Sequence, residues 1–363
     1  MNRESSVGEN FNKTVAAMIG SLREELADTI TDRQYSAYPE LAIRYGATGR
    51  RHCREDAGFH LAYLAESIAT SLPNLFTDYV AWVKVMLAGR GIPAKDLVAN
   101  LGFLRDALHE DLPAEMAEVA VGYVERGLER LPGFPSELET AITGIGPLAE
   151  LARDYLSALL RADRREASRL VLEAVESGTN IQDIYLDVFQ QTQHQIGRLW
   201  QMNRLTVAQE HYCTAATQLI MSQLYPRIFS TERNGLTMVA ACIGGDLHEI
   251  GVRMIADFFE MDGWDTVYLG ASTPIRSIVE MVVSSGASLL AVSATITFHV
   301  TEVTGLIATL RGDDRCRNVK IMVGGYPFNV EPELWRQIGA DACAHDARES
   351  VTIARRMVAG VGS

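Results

Sequence analysis

Gly244-Gly245-Asp246-Leu247-His248-Glu249-Ile250-Gly251 is the stretch on which the fold turns. It follows an apolar run, residues 236–243, that reads as a buried strand, and it opens an amphipathic run, residues 252–259, that reads as a helix. A strand-to-helix turn at the carboxyl end of a parallel strand is where open α/β sheets bind their ligands. The two glycines let the backbone bend tightly or approach a large ligand. His248 leaves the turn with a ring nitrogen free for a metal. Asp246, two residues earlier, can accept the other ring N–H and fix the tautomer. Taken alone, Asp-x-His in a surface loop is more often a turn with a solvated histidine than a metal site. A phosphate-binding glycine loop is disfavoured, because Gly-x-Gly-x-x-Gly is absent and Asp246 would repel a phosphate.

Two further strands give the turn its context. Residues 289–292 form an apolar run ending in Ser293-Ala294-Thr295, and residues 320–323 form another ending in Gly324-Gly325. In a doubly wound sheet these endings converge on one crevice, with a histidine, two hydroxyls and a glycine pair that makes room. Asp246-x-His248-x-x-Gly251, Ser293-x-Thr295 and Gly324-Gly325 together resemble the three motifs of a cobalamin-binding domain, over residues 235–360 or so. The resemblance implies a Rossmann-like (flavodoxin-like) doubly wound parallel sheet. It also implies that His248 takes cobalt from below and displaces the cofactor's own dimethylbenzimidazole. The displaced tail would enter a slot lined by Ser293, Thr295 and the glycine pair.

The chain has 363 residues, enough for two or three domains, and 47% hydrophobic with 22% charged residues is ordinary for a globular protein. Its net charge of −13 argues against direct nucleic-acid binding, and no basic stripe or helix-turn-helix is evident. No apolar run reaches the roughly 20 residues of a membrane span, and the first residues do not read as a signal peptide, so a cytoplasmic location is expected. Cys53, Cys213, Cys242, Cys316 and Cys343 are scattered, which argues against a disulfide framework or a zinc site.

Three domains are expected: 1–146, all helix; 147–232, a four-helix bundle; and 233–363, the sheet domain. In the first, helical periodicity recurs between proline and glycine breakers, and residues 131–147 read as a linker. Arg50-Arg51-His52-Cys53-Arg54 is its densest basic cluster. It reads either as the solvated start of a helix or as a site for an anionic, flat ligand, with Arg51 and Arg54 meeting carboxylates and His60 and Tyr63 one turn on.

In the bundle, Trp200 ends one predicted helix, and Glu210-His211 lie on the next. By composition they read as core and as a solvated pair. Beside a cobalamin-binding domain, Trp200, nine residues and then Glu210-His211 resemble the signature of light-sensing cobalamin photoreceptors. That resemblance implies that Trp200 packs on the adenosyl group of adenosylcobalamin, that Glu210 accepts its hydrogen bonds, and that His211 helps hold the cap. One departure is Gln201, which stands where light-sensing repressors carry a second axial histidine; His194 or His211 are the alternatives. The whole layout resembles the photocobilins, which pair cobalamin with biliverdin, and Arg51, Arg54, His60 and Tyr63 are then the candidate bilin contacts, without a thioether to Cys53. A light sensor with no catalytic residues of its own is expected, a homo-oligomer whose state depends on light and which signals to an unidentified protein partner. The alternative is a corrinoid protein of a methyltransferase or mutase system, and a third reading is a passive cobalamin carrier.

Overall fold

A computed structural model describes residues 3–359 of the chain, which divides into two compact units, Met1–Glu137 and Leu138–Ser363. The first unit is all helical among its described residues: α1 (Arg3–Ser21), α2 (Arg23–Ala37), α3 (Glu40–Ala69), α4 (Pro73–Gly89), α5 (Ala94–Asp111) and α6 (Ala114–Arg130). Apolar residues at helical spacing, among them Leu61, Leu64 and Ile68 of α3 with Phe76 and Val80 of α4, meet in one core. The helix expected from about residue 11 to 26 is two, broken at Leu22. Gly46, at φ +62°, kinks α3, a conformation that costs a residue with a Cβ more than it costs glycine. The buried Lys84 ammonium donates to the carbonyls of Leu131 (3.0 Å) and Phe134 (2.6 Å), satisfying the chain where α6 runs out.

The second unit begins, after an irregular stretch, with the bundle expected from the sequence: α7 (Pro147–Leu160), α8 (Arg164–Glu176), α9 and α10 (Val207–Gln223). α9 runs continuously through Ile181–Asp183, a π-helical turn Ile184–Gln190, and Gln191–Gln201. Asn180 caps its start, and Thr206 with Gln209 forms a reciprocal capping box at the start of α10.

The chain then alternates strand and helix: β1 (Thr237–Cys242), α11 (Ile250–Met261), β2 (Asp265–Tyr268), α12 (Ile275–Ser285), β3 (Leu289–Ser293), α13 (Val300–Gly312), β4 (Lys320–Gly324), β5 (Ala342–Cys343) and α14 (Ala347–Ala359). The strands pair in parallel in the order β2-β1-β3-β4-β5, the doubly wound arrangement expected. Register is set by Val239 opposite Leu290 and Ala291 opposite Met322. β2 and β5, which the apolar-run reading missed, are the two edges; β2 is polar at its start and β5 pairs through only two residues. Sheet and bundle share one hydrophobic core, in which Tyr185 and Phe189 of α9 lie with Phe258 of α11. The bundle and the sheet therefore pack into a single compact unit. No helix of the described residues is long and apolar enough to cross a membrane.

Candidate functional site

The sheet order changes direction between β1 and β3, and the loop after β1 carries Asp246 and His248. Asp246 is fully buried. Its Oδ1 accepts from the backbone N–H of His248 (3.0 Å) and lies 2.7 Å from His248 Nδ1, while its Oδ2 accepts from the backbone N–H of Thr295 (2.5 Å). Burial pushes the Asp246 carboxyl up, but these hydrogen bonds outweigh it and hold it below the usual aspartate value. Across the pair, the hydrogen bond to Asp246 holds His248 above the usual histidine value; burial opposes it, and the nearby charges of Asp246 and of Glu210 in the bundle add to it. A neutral His248 keeps its proton on Nδ1, toward the carboxylate, and turns a lone pair outward at Nε2. The side chain is 57% exposed, so that lone pair is accessible.

The other motif residues surround this pair in different ways. Ser293 is buried at the end of β3. Thr295 serves Asp246 through its main chain, a contribution that reading the motif as a pair of hydroxyls missed. Gly325 is required by the backbone: at φ +112° an added Cβ would stand 2.0 Å from the Ala294 carbonyl oxygen. Gly251 lies in the first turn of α11 with open space where a side chain would be. His299, singled out by no motif, is buried beyond Asp246, with Nδ1 3.9 Å from Oδ2 and without a hydrogen bond. A second histidine one strand away, in Thr297-Phe298-His299, was the available signal.

From the bundle, Trp200 stands half-buried in the last turn of α9, and Glu210 in the first turn of α10, where a helix N-terminus favours a carboxylate. Glu210 accepts from the Thr214 hydroxyl at 3.0 Å. His211 is 73% exposed and 3.5 Å from Glu210, a surface contact that holds little of the cap together. Gln201 is buried, whereas His194 is exposed.

The proposed anion cluster of the first unit is arranged otherwise. Arg50 to Arg54 lie in the first turns of α3 after its kink at Gly46, in line with the helix-start reading. Arg54 is engaged by Asp28 and Glu24, and Arg51 lies 3.9 Å from Glu55. His60 points inward: it is 2% exposed, its Nδ1 is 2.8 Å from the Tyr79 hydroxyl, and burial lowers its pKa to about 4. Tyr63 stacks on the same Tyr79 ring at 3.8 Å. The two arginines and the His60–Tyr63 pair thus face different ways, because α3 turns its charged side out and its aromatic side into the core. Burial also raises the Cys53 thiol to about 11, leaving it a poor nucleophile.

Residues 236–354 match the B12 binding domain model, and residues 151–225 match a second B12 binding domain model. Among curated proteins, the chain is 27% identical over 173 residues to dimethylamine corrinoid protein 2 of Methanosarcina acetivorans, covering 46% of this chain and 77% of that one. It is 26% identical over 207 residues to trimethylamine corrinoid protein 1 of Methanosarcina mazei, covering 56% of this chain and 94% of that one. Among solved structures, the monomethylamine corrinoid protein of Methanosarcina barkeri shares the fold, with a TM-score of 0.51 at 23% identity, over 57% of this chain and 98% of that one. The chain therefore carries B12-binding domains, and its ligand class is a corrinoid.

The donor set fits that ligand. No group of three or more His, Cys, Asp or Glu side chains able to hold a bare metal ion occurs among the described residues. What the loop offers is one imidazole lone pair, held in its tautomer by a buried carboxylate. A corrin supplies cobalt with its four equatorial nitrogens, so a single axial donor is what such a ligand requires of a protein.

Proposed function

We propose that this chain is a corrinoid carrier of a methyl-transfer system, holding cobalamin between the bundle and the sheet with His248 as the lower cobalt ligand. The observation that carries the reading is the exposed imidazole of His248, oriented by buried Asp246 at the end of β1. The bound cofactor supplies a cobalt atom that can accept and donate an alkyl group. His248 would hold the group, Trp200 and the bundle would shield it from water, and Glu210 would offer it a carboxylate from the bundle. The methylamine corrinoid proteins among its relatives support a corrinoid-carrying role in one-carbon metabolism of this kind.

A second reading is a light sensor using adenosylcobalamin, with biliverdin as a second chromophore in the helical unit. One observation favours its cobalamin half: an indole and a carboxylate on the bundle suit a purine face and ribose hydroxyls better than a methyl group. The test loads the protein in darkness with methylcobalamin or adenosylcobalamin and follows spectrum and molecular mass under green light. A carrier holds methylcobalamin as tightly as adenosylcobalamin and keeps its mass in light. A sensor prefers adenosylcobalamin, loses that preference in Trp200→Ala, and changes mass on illumination; a red-shifted bilin band on adding biliverdin would complete it. Refusal of both corrinoids would sink both readings.

A further inference from the structure

The residue after His248 is tied down from two sides. Glu249 Oε1 accepts from Gln218 Nε2 of α10 at 2.8 Å, and its Oε2 accepts from the Tyr268 hydroxyl at the end of β2 at 2.9 Å. All three side chains are half-buried. The loop beyond β2 leaves room for the carboxylate, since a Cβ on Gly270 would come within 3.1 Å of Oε2. Glu249 opens a polar row down α11. Arg253, one turn on, donates to Ser222 Oγ (2.7 Å) and the Tyr225 hydroxyl (3.0 Å), and Asp257, a further turn on, accepts from the Tyr185 hydroxyl (2.8 Å). Of the bundle's answering groups, Gln218 and Ser222 lie on α10, the helix that begins beside Glu210, and Tyr225 lies on the short helical turn Tyr225–Ile228 that follows it.

The rungs differ in what they can control. Asp246 fixes the rotation of the His248 ring but not where the loop stands relative to the bundle. The lower rungs join α11 to the bundle one and two turns beyond the loop. Only Glu249 is adjacent in sequence to His248 and bound to both the bundle and the sheet.

We infer that Glu249 is a positioning residue for the lower cobalt ligand: held between Gln218 and Tyr268, it sets the path of the His248 loop and ties that path to the helix bearing Glu210. The inference rests on His248 ligating cobalt, and the experiment separates the two. The full chain is loaded with cob(II)inamide, which lacks the nucleotide base, so axial nitrogen splitting in its electron paramagnetic resonance spectrum must come from the protein. Splitting in the wild type that disappears in His248→Ala establishes the ligation; a wild type without splitting overturns the ligation and the inference with it. Given splitting, Gln218→Leu and Tyr268→Phe each lower the split fraction and weaken cobinamide binding roughly 10-fold, the scale at which outer partners of metal ligands act. Glu249→Gln, which still accepts from Gln218, retains most of the signal. Tyr185→Phe removes a hydrogen bond from the same row two turns away, and it lowers thermal stability while leaving splitting and affinity intact. If Gln218→Leu and Tyr268→Phe keep wild-type splitting and affinity, or if Tyr185→Phe reduces both equally, the row is structural only and the positioning role falls.

Discussion

His60 and His248 are each held through Nδ1 by an oxygen within hydrogen-bonding distance, and there the similarity of their surroundings ends. In the helical unit the partner is a phenol, the ring is sealed among core side chains, and burial drives it neutral. In the mixed unit the partner is a buried carboxylate at a strand end, and the far side of the ring meets open space. A helix interior can close over a histidine from all sides, because neighbouring turns and helices supply the contacts. A strand-to-loop exit cannot, since the sheet stops there. The same residue becomes packing in one region and a donor in the other.

The sharpest way to break the comparison is to delete each histidine. His248→Ala is expected to weaken hydroxocobalamin binding by more than the roughly 10–100-fold expected of Asp246→Asn, read by absorbance titration. His60→Ala should leave that titration unchanged and cost the helical unit about 2–4 kcal/mol through a cavity and an unpaired Tyr79 hydroxyl. If His60→Ala abolished binding without unfolding anything, the division of roles between the units would be wrong.

Next in size is Gly325→Ala. A Cβ placed 2.0 Å from a carbonyl, on a backbone at φ +112°, should destabilise the sheet by about 3 kcal/mol in denaturant titrations. Gly251→Ala meets no atom within 4 Å and should be silent for folding. An effect of Gly251→Ala on corrinoid binding alone would mark that open space as part of the ligand's seat.

The two units should also answer pH with opposite signs. His60 falls from an ordinary 6.5 to about 4 in the folded chain, so its contribution is whole above pH 6.5 and is lost as pH drops toward 4. Asp257 rises from 3.8 to about 6 through burial, so its contribution is whole below pH 3.8 and is lost as pH climbs through 6. Each is worth about 3 kcal/mol at full extent. Hydrogen exchange of α3 and of α11 between pH 4 and 7 reads them separately, and His60→Phe or Asp257→Asn should flatten its own slope only. The smallest effect expected is that of Arg54→Gln, whose partners are exposed surface carboxylates: the thermal midpoint should not move.

How far the sequence could be read obeys the same division. Strands β1, β3 and β4 were legible because each is a continuous apolar run between turn residues, as fully buried parallel strands must be. β2 and β5 were not, because edge strands are short and carry polar residues. Asp246, His248 and Gly325 were found because spacing and strand context constrain them together. Gln218 and Tyr268 escaped because their roles exist only after distant elements pack, and nothing local distinguishes them; His299 offered only its position after a second strand. For the helical unit, periodicity located helices but could not tell which side of α3 faces in, and so it grouped surface arginines with buried aromatics.

The π-helical turn at Ile184–Gln190 has a consequence for how this cap can change over time. Such a turn amounts to one residue inserted into a helix without breaking it, and each residue rotates the rest of the helix by about 100°. Tyr185 lies within that turn, facing Asp257, while Trp200 lies beyond it. Because the π turn takes up its extra residue within one wide turn, the helix on either side keeps its register, so a one-residue deletion there would restore a regular helix with Trp200 near its present bearing, whereas the same deletion elsewhere in α9 would turn Trp200 by about 100°. Gain or loss of a single codon is therefore tolerable at the π turn and disruptive along the rest of α9.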